Sequence, residues 1–330
     1  MLPLLGRCIV AALALVAVYP LTPTTAQPYP SRPITIIVPL AAGTGMDTVV
    51  RLYGDELSKS LGQSVVVDNR PGAATMIGTD AVAKAPPDGY TLLVATSSAM
   101  AINPVLYKKI AYDPVKDFVP ISFYVKSPFI LVVNPELPAK SVPELIKYAR
   151  EKSGNPLTFS SPGAGVAQHL SGEYMKQKFG IEMTHVPYRN TGQSITDIAA
   201  GHVSLGFAEA GASVPLIKDG KLRALAVSAS TRLPLLPDVP PFSEAANAPD
   251  FEAVSWHILF APAATPRNIV DKLHAEMGRI VAAPAMQKHV SDLGLIPFDS
   301  PSVEGITSYL ASEREKWGAL VKKLGLEGSQ

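Results

Sequence analysis

Two short loops in this sequence have the composition to hold an anion. The first, Pro39-Leu40-Ala41-Ala42-Gly43-Thr44-Gly45-Met46-Asp47, follows the apolar run Ile34-Thr35-Ile36-Ile37-Val38. The second, Ser160-Ser161-Pro162-Gly163-Ala164-Gly165-Val166-Ala167-Gln168-His169, follows Leu157-Thr158-Phe159 about 120 residues further on. Each sets a Gly-x-Gly between an apolar run and a helical stretch. Glycine lets the backbone take positive φ and approach a ligand closely. Amides that open a helix carry the positive end of its dipole. In the first loop the amides of Gly43 to Met46 fall at that place, with Asp47 in the first turn as a cap or as support behind the loop. In the second, Ser160, Ser161, Gly163, Gly165 and the amides of Val166 and Ala167 do so. His169 lies in the first helical turn, either as a carboxylate ligand or as a ring bonded to neighbouring backbone. For both loops the plainer reading is a tight strand-to-helix turn.

Known phosphate cradles do not fit. A dinucleotide loop needs a third glycine where Thr48 stands. A P-loop needs a lysine, and none lies between Val38 and Arg51. No Gly-x-Ser-x-Gly elbow or His-Glu-x-x-His is present. The six histidines (169, 185, 202, 257, 274, 289) are too far apart for a local metal motif. The carboxylate pairs Asp55-Glu56 and Glu313/Glu315 read as solvated helix faces. The sequence provides a place to hold an anion and no visible machinery to convert one, so no cofactor is expected.

The elements that position these loops are short. Apolar runs of four to eight residues recur, among them "ITIIVPL", "SVVVD", "TLLVAT", "FILVVN", "LTFS", "HVSLGFA", "LRALAVSA" and "HILFAPA". Several are apolar throughout, as in a parallel sheet buried on both faces. Helices lie between them. Ser141-Val142-Pro143-Glu144 is a capping box, and Thr265-Pro266 reads as a cap and first-turn proline. Ile306, Leu310, Trp317, Leu320 and Leu324 trace one helix ending at Gly325. Alternating strands and helices predict an α/β protein. Two similar loops suggest two lobes facing each other across a cleft.

Residues 1–26 contain Arg7, no acid, the apolar run "CIVAALALVAVYPL" and the small-x-small end Thr24-Thr25-Ala26. This is expected to be a cleaved secretory signal, too short in its apolar core to span a bilayer. Cys8, the one cysteine, lies inside it, which leaves a mature chain without disulfide or thiol chemistry. The 29 basic and 28 acidic residues nearly cancel, which leaves no footprint for nucleic acid or an anionic membrane.

Several ordered stretches carry a resemblance. "YPSRPITIIVP", "VVVDNRPGAATMIGTDAVAKAPPDGYTLLV", "INPVLYKKIAYDPVKDFVPIS", "LVVNPELPAKSVPELIKYAR", "HVPYRNTGQSITDIAAGHV", "GKLRALAVSASTR", "LPDVP" and "FAPAATP" follow one another. Together they resemble the substrate-binding proteins of tripartite tricarboxylate transporters, the Bug or TctC-like family of proteobacteria. The resemblance implies a periplasmic, two-lobed binding protein of the type II, Venus-flytrap class with two crossover strands as hinge. Residues 27–126 with 252–330 would form lobe one and 127–251 lobe two. It also implies a monomer that captures a small carboxylate for membrane transporter subunits. A receptor signalling to a membrane histidine kinase, or a secreted hydrolase using the cleft, are the alternatives.

The family's site maps onto Leu40, Ala42, Gly43, Thr44, Gly45 and Asp47 in the first loop. In the second it maps onto Ser161, Gly163, Gly165, Val166, Ala167 and His169, with Ser97, Tyr188 and Glu209 beside them. This sequence departs from the family's first loop, Pro-Phe-x-Pro-Gly-Gly-x-x-Asp, at Leu40, Ala42 and Thr44. Thr44 adds a hydroxyl but stiffens a position that often needs glycine. Val166 stands where Ser or Thr is usual. Phe207-Ala208 replaces Phe-Asp, with Glu209 restoring an acid one position along. Fewer polar contacts imply a ligand less polar than citrate, such as an aromatic or branched monocarboxylate.

Overall fold

The apolar runs become the strands of two separate sheets. The computed structural model describes residues 28–330 apart from 153, 189, 190 and 250, so the signal expected over 1–26 lies outside the described residues. The strands are β1 (Ile34–Val38), β2 (Val65–Asn69), β3 (Thr91–Ala95), β4 (Phe118–Ser127), β5 (Phe129–Val133), β6 (Leu157–Ser161), β7 (Met183–Pro187), β8 (Leu205–Glu209), β9 (Arg223–Val227), β10 (Ser255–Pro262) and β11 (Ile296–Pro297). One sheet has the order β11-β4-β10-β3-β1-β2 and the other β7-β6-β8-β5-β9. The helices are α1 (Gly45–Leu61), α2 (Met76–Ala83), α3 (Asn103–Leu106), α4 (Val142–Glu151), α5 (Ala167–Phe179), α6 (Thr191–Ala199), α7 (Ala210–Lys218), α8 (Phe242–Ala245), α9 (Arg267–Ala282), α10 (Pro284–Asp292) and α11 (Val303–Lys323).

The sheets are mixed, which corrects the expectation of parallel sheets. β1 runs parallel to β2 and β3, and β6 to β7 and β8. β10 is antiparallel to β3 and β4, and β5 to β8 and β9. The cause is topological: these strands carry the chain between sheets and enter from the opposite end. Every residue of β5 and β10 is buried, and burial on both faces says nothing about direction.

Only Pro128 separates β4 from β5. The return passes through Ala253 to Ser255, which pairs with Ser127. Ser228 ties the two crossings together. Its hydroxyl accepts the Phe129 N–H at 2.8 Å, its N–H donates to the Phe129 carbonyl at 2.8 Å, and its carbonyl accepts the Ala253 N–H at 3.2 Å. This is the two-lobed α/β architecture with two crossover strands. β4 was hidden by Pro120 in its midst. The structure accommodates that residue opposite Phe260, beside a register shift where a missing N–H is tolerated.

Ser141 caps α4 as expected, accepting the Glu144 N–H at 3.3 Å, while Glu144 reaches back one residue further than a capping box requires and accepts the Lys140 N–H at 2.7 Å. Thr265, by contrast, does not cap α9. Pro266 occupies the cap position, one residue later than expected, and the buried Thr265 hydroxyl has no partner.

Helix α11 belongs to both lobes. Ile306 and Leu310 pack with Trp256 and Phe260 of the first sheet, and Trp317 and Val321 pack with Leu131, Phe159 and Leu170 of the second lobe. Gln177 of α5 donates to the Lys323 carbonyl at 2.7 Å. Glu313, expected to be solvated, is instead buried at the joint. Its Oε2 accepts the indole N–H of Trp256 at 2.8 Å and of Trp317 at 3.0 Å. The helix is enclosed where it passes from lobe to lobe, so a position that reads as polar surface lies inside. Glu315 and Asp55 are exposed and Glu56 is half-buried. Among the described residues no helix is long and apolar enough to cross a membrane.

Candidate anion-binding cleft

The carboxyl ends of parallel strands are where open α/β sheets place ligands. In the first lobe β1, β2 and β3 end in the 39–44 loop, in Asn69-Arg70-Pro71-Gly72 and in Thr96-Ser97. In the second lobe β6 and β8 end in the 161–166 loop and in Glu209.

The first loop is held from behind. Thr44 is the N-cap of α1: its hydroxyl accepts the Asp47 N–H at 3.3 Å and donates to the Ala41 carbonyl at 2.9 Å. Asp47 accepts the Gly43 N–H at 2.9 Å, the Arg51 Nε at 3.1 Å and the Asn69 amide at 3.0 Å. The Asn69 amide also donates to the Leu40 carbonyl at 3.0 Å, and Arg51 donates to Asn69 at 2.9 Å. Burial works against the Asp47 charge, but Arg51, the Gly43 N–H and Asn69 outweigh it and hold the carboxyl below its ordinary value. Gly43 takes φ +81°, whereas Thr44 sits at an ordinary φ of −73°. Threonine therefore brings no strain where the family often has glycine. Ala42 and Gly43 are exposed at the loop's tip.

The second loop is braced the same way, by different side chains. Ser161 donates to the Gly163 carbonyl at 2.7 Å, accepts the Gly163 N–H at 3.2 Å and meets His185 Nε2 at 2.7 Å. His169 Nδ1 accepts the Gly165 N–H at 3.1 Å, which places its proton on Nε2. His169 and His185 stack with ring centroids 4.1 Å apart. Burial first, then the charges of His185 and Lys176, pull His169 down to about 3, and burial with Lys176 pulls His185 down to about 4. Both rings are neutral at physiological pH. Val166 precedes α5 in extended conformation without a side-chain cap, so the helix start there is backbone alone.

Of the other anticipated residues, Tyr188 donates to Asp197 at 2.7 Å; burial and then Asp197 push its hydroxyl up to about 12. Ser97 is fully buried against Ser255, with 3.1 Å between hydroxyls. Every anticipated donor side chain (Thr44, Ser97, Ser161, His169, Tyr188) thus has a partner within the protein. The Gly43, Gly163 and Gly165 N–H groups are likewise bonded within their own loops. Sequence reasoning missed Asn69 and Arg51, which clamp the first loop, and His185, which braces the second. Asn69 was visible only as a family marker, and His185 sits in an edge strand with no motif around it.

The lobes touch at three glycines. A Cβ on Gly165 would lie 2.2 Å from Leu106 Cδ2, and one on Gly294 would lie 2.3 Å from the Ala210 Cβ. A Cβ on Gly45 would lie 3.3 Å from Glu209 Oε2. The Gly45 N–H acts on that carboxylate as a donor, although burial dominates and raises the Glu209 carboxyl above its ordinary value. A surface recess of about 420 Å³ lined by Ile146, Arg150 and Phe179 lies at the far end of α5 from this cleft.

The starts of α1 and α5 thus lie at the same cleft, one in each lobe. Residues 49–326 match the profile of the tripartite tricarboxylate transporter family receptor. The chain belongs to this receptor family. Among the family's proteins it is similar to BugT of Bordetella pertussis (strain Tohama I), at 34% identity over 304 residues covering 92% of each chain. The solved structure of R. palustris Rpa4515 with adipate is 34% identical, has a TM-score of 0.84, and is matched over 90% of this chain and 98% of that one. MatC from Rhodopseudomonas palustris with bound malate is 31% identical, with a TM-score of 0.79 over 89% of this chain and all (100%) of that one.

Proposed function

We propose that this tripartite tricarboxylate transporter family receptor works in the periplasm after removal of residues 1–26. It captures a small carboxylate between its lobes and delivers it unconverted to a membrane transporter. One observation carries the reading. The α1 and α5 starts open on the cleft from opposite lobes, while the Gly43, Gly163 and Gly165 N–H groups and the neighbouring hydroxyls and imidazoles are committed to holding the two loops in shape, which leaves the remaining helix-opening amides for the ligand. Such a site recognises the charge and shape of a carboxylate through fixed dipoles. The ligands of the adipate and malate structures belong to the same chemical class.

Closure is a hinge motion of lobe 27–126 plus 252–330 against lobe 127–251, about the 127–129 and 253–255 crossings and the stretch of α11 that passes between the lobes, with the bound acid selecting the closed state. The receptor acts as a monomer. Calorimetric titration of the mature chain with adipate, malate, benzoate and citrate tests the reading. At least one of the less polar acids is expected to bind and to be recovered unchanged after prolonged incubation. No heat with any of the four, or a chemically altered ligand, would overturn it.

A further inference from the structure

Glu209 is the residue whose position the receptor function leaves unexplained. It ends β8 in the second lobe, yet its carboxylate lies at the opening of α1 in the first, with Oε2 3.3 Å from where a Gly45 side chain would begin. Its main chain is anchored: the Ser213 hydroxyl donates to the Glu209 carbonyl at 2.8 Å, and Ala210, the next residue, packs against Gly294 of the first lobe. The side chain spans a gap between lobes from a fixed base. At its tip is the chemical group that the α1 start is suited to hold, a carboxylate at a helix N-terminus. Gly45, which has no side chain, is what lets it approach; any Cβ there would crowd Oε2.

We propose that Glu209 is a tethered stand-in for the ligand: its carboxylate occupies the anion-holding start of α1 in the free receptor, latches the lobes together, and must be displaced by the acid that is captured. This rests on the reading of the α1 start as the ligand's carboxylate site. Two carboxylates at one helix start repel, so the incoming acid and Glu209 compete. The latch thereby sets a threshold that a weak or wrongly shaped acid does not pass. When a competitor holds a site shut for most of the time, apparent affinity falls by the fraction of open molecules. If about a tenth of molecules are open, removing the latch strengthens binding roughly tenfold.

The test compares the mature wild-type chain with Glu209→Ala and Glu209→Gln, each first checked for an unchanged circular dichroism spectrum. Small-angle scattering of the free proteins is expected to show a larger radius of gyration for E209A than for wild type, with E209Q between them. Titration with adipate is expected to show E209A binding several-fold to tenfold more tightly. An unchanged radius in both variants overturns the latch. Weaker adipate binding by E209A also overturns it, and makes Glu209 a contact of the ligand instead of its rival. If adipate, malate, benzoate and citrate bind none of the three proteins, the ligand-class reading has failed, and the scattering comparison still decides the latch.

Discussion

Asp47 reaches back along its own loop to accept the Gly43 N–H at 2.9 Å. A helix start is a good anion site only if its amides are already aligned, since aligning them on binding would consume the binding energy. Asp47 does this aligning, with Arg51 and Asn69 holding it in turn. Asp47→Ala is expected to cost about 1–3 kcal/mol in urea unfolding, because it strips partners from Gly43, Arg51 and Asn69 together. Adipate affinity should fall along with stability. Asp47→Asn keeps an acceptor and should lose less of both. Wild-type affinity in the alanine variant would show that the loop needs no such support.

Gly165 combines φ +82° with a neighbour, Leu106, that leaves no room for a Cβ. Gly165→Ala therefore pays backbone strain of roughly 1–2 kcal/mol and also props the lobes apart. Leu106→Ala should restore part of the lost affinity in the double variant by relieving the clash, while the strain persists. Purely additive losses would place Leu106 outside the closing contact.

The turn after Asn69-Arg70-Pro71-Gly72 runs through Ala73 (φ +46°), Ala74 (φ +49°) and Thr75 (φ +77°), three successive residues in the left-handed region without a glycine among them. Glycine at Ala74 relieves about 1–2 kcal/mol of steric cost against roughly 0.5–1 kcal/mol of added chain entropy. Ala74→Gly is expected to raise stability by about 0.5–1 kcal/mol in denaturant titration. A loss of that size would mean that the Ala74 methyl contributes packing that outweighs the strain.

Three histidines set an acid limit. Burial holds His169 and His257 near 3, and His185 near 4, in the folded protein, whereas an unfolded chain titrates histidine near 6.5. Between those values the unfolded chain binds more protons, so stability falls as pH drops below about 6.5 and is unaffected by these rings above about 7.5. Each contributes a slope of up to about 1.4 kcal/mol per pH unit. Glu209, with its raised carboxyl, opposes them by at most one proton. Urea midpoints between pH 5 and 6.5 should decline, and His257→Leu should remove up to about a third of the slope. A flat profile would mean that the rings are hydrated in the folded protein.

Much of the cleft was legible because its chemistry is written in backbone freedom. A glycine pair between an apolar run and a helix start is visible in one dimension, and both loops lie where that pattern placed them. Side-chain roles were less legible. Thr44, Ser161 and His169 have donor and acceptor atoms suited either to a ligand or to a loop, and only the third dimension shows Gly163 and Gly165 as partners of the last two. Glu313 misled for a related reason: a carboxylate on a helix reads as solvent-facing until two indoles arrive from distant segments. β4 escaped because proline argues against a strand interior unless a register shift in the partner strand is known. Nothing local marks Ala73-Ala74-Thr75 as left-handed, since each of those residues ordinarily avoids that region.

The Glu313 cluster has a spectroscopic consequence. The chain contains two tryptophans, and both place their indole N–H on the same buried carboxylate, one from the crossover strand β10 and one from α11. Indole emission responds to the charge and hydrogen bonding at that nitrogen, so all of the molecule's tryptophan emission originates at its joint. A captured acid that swings the lobes should therefore change the emission colour without any added label. An acid that settles in the open cleft without moving them should leave the spectrum dark to its presence.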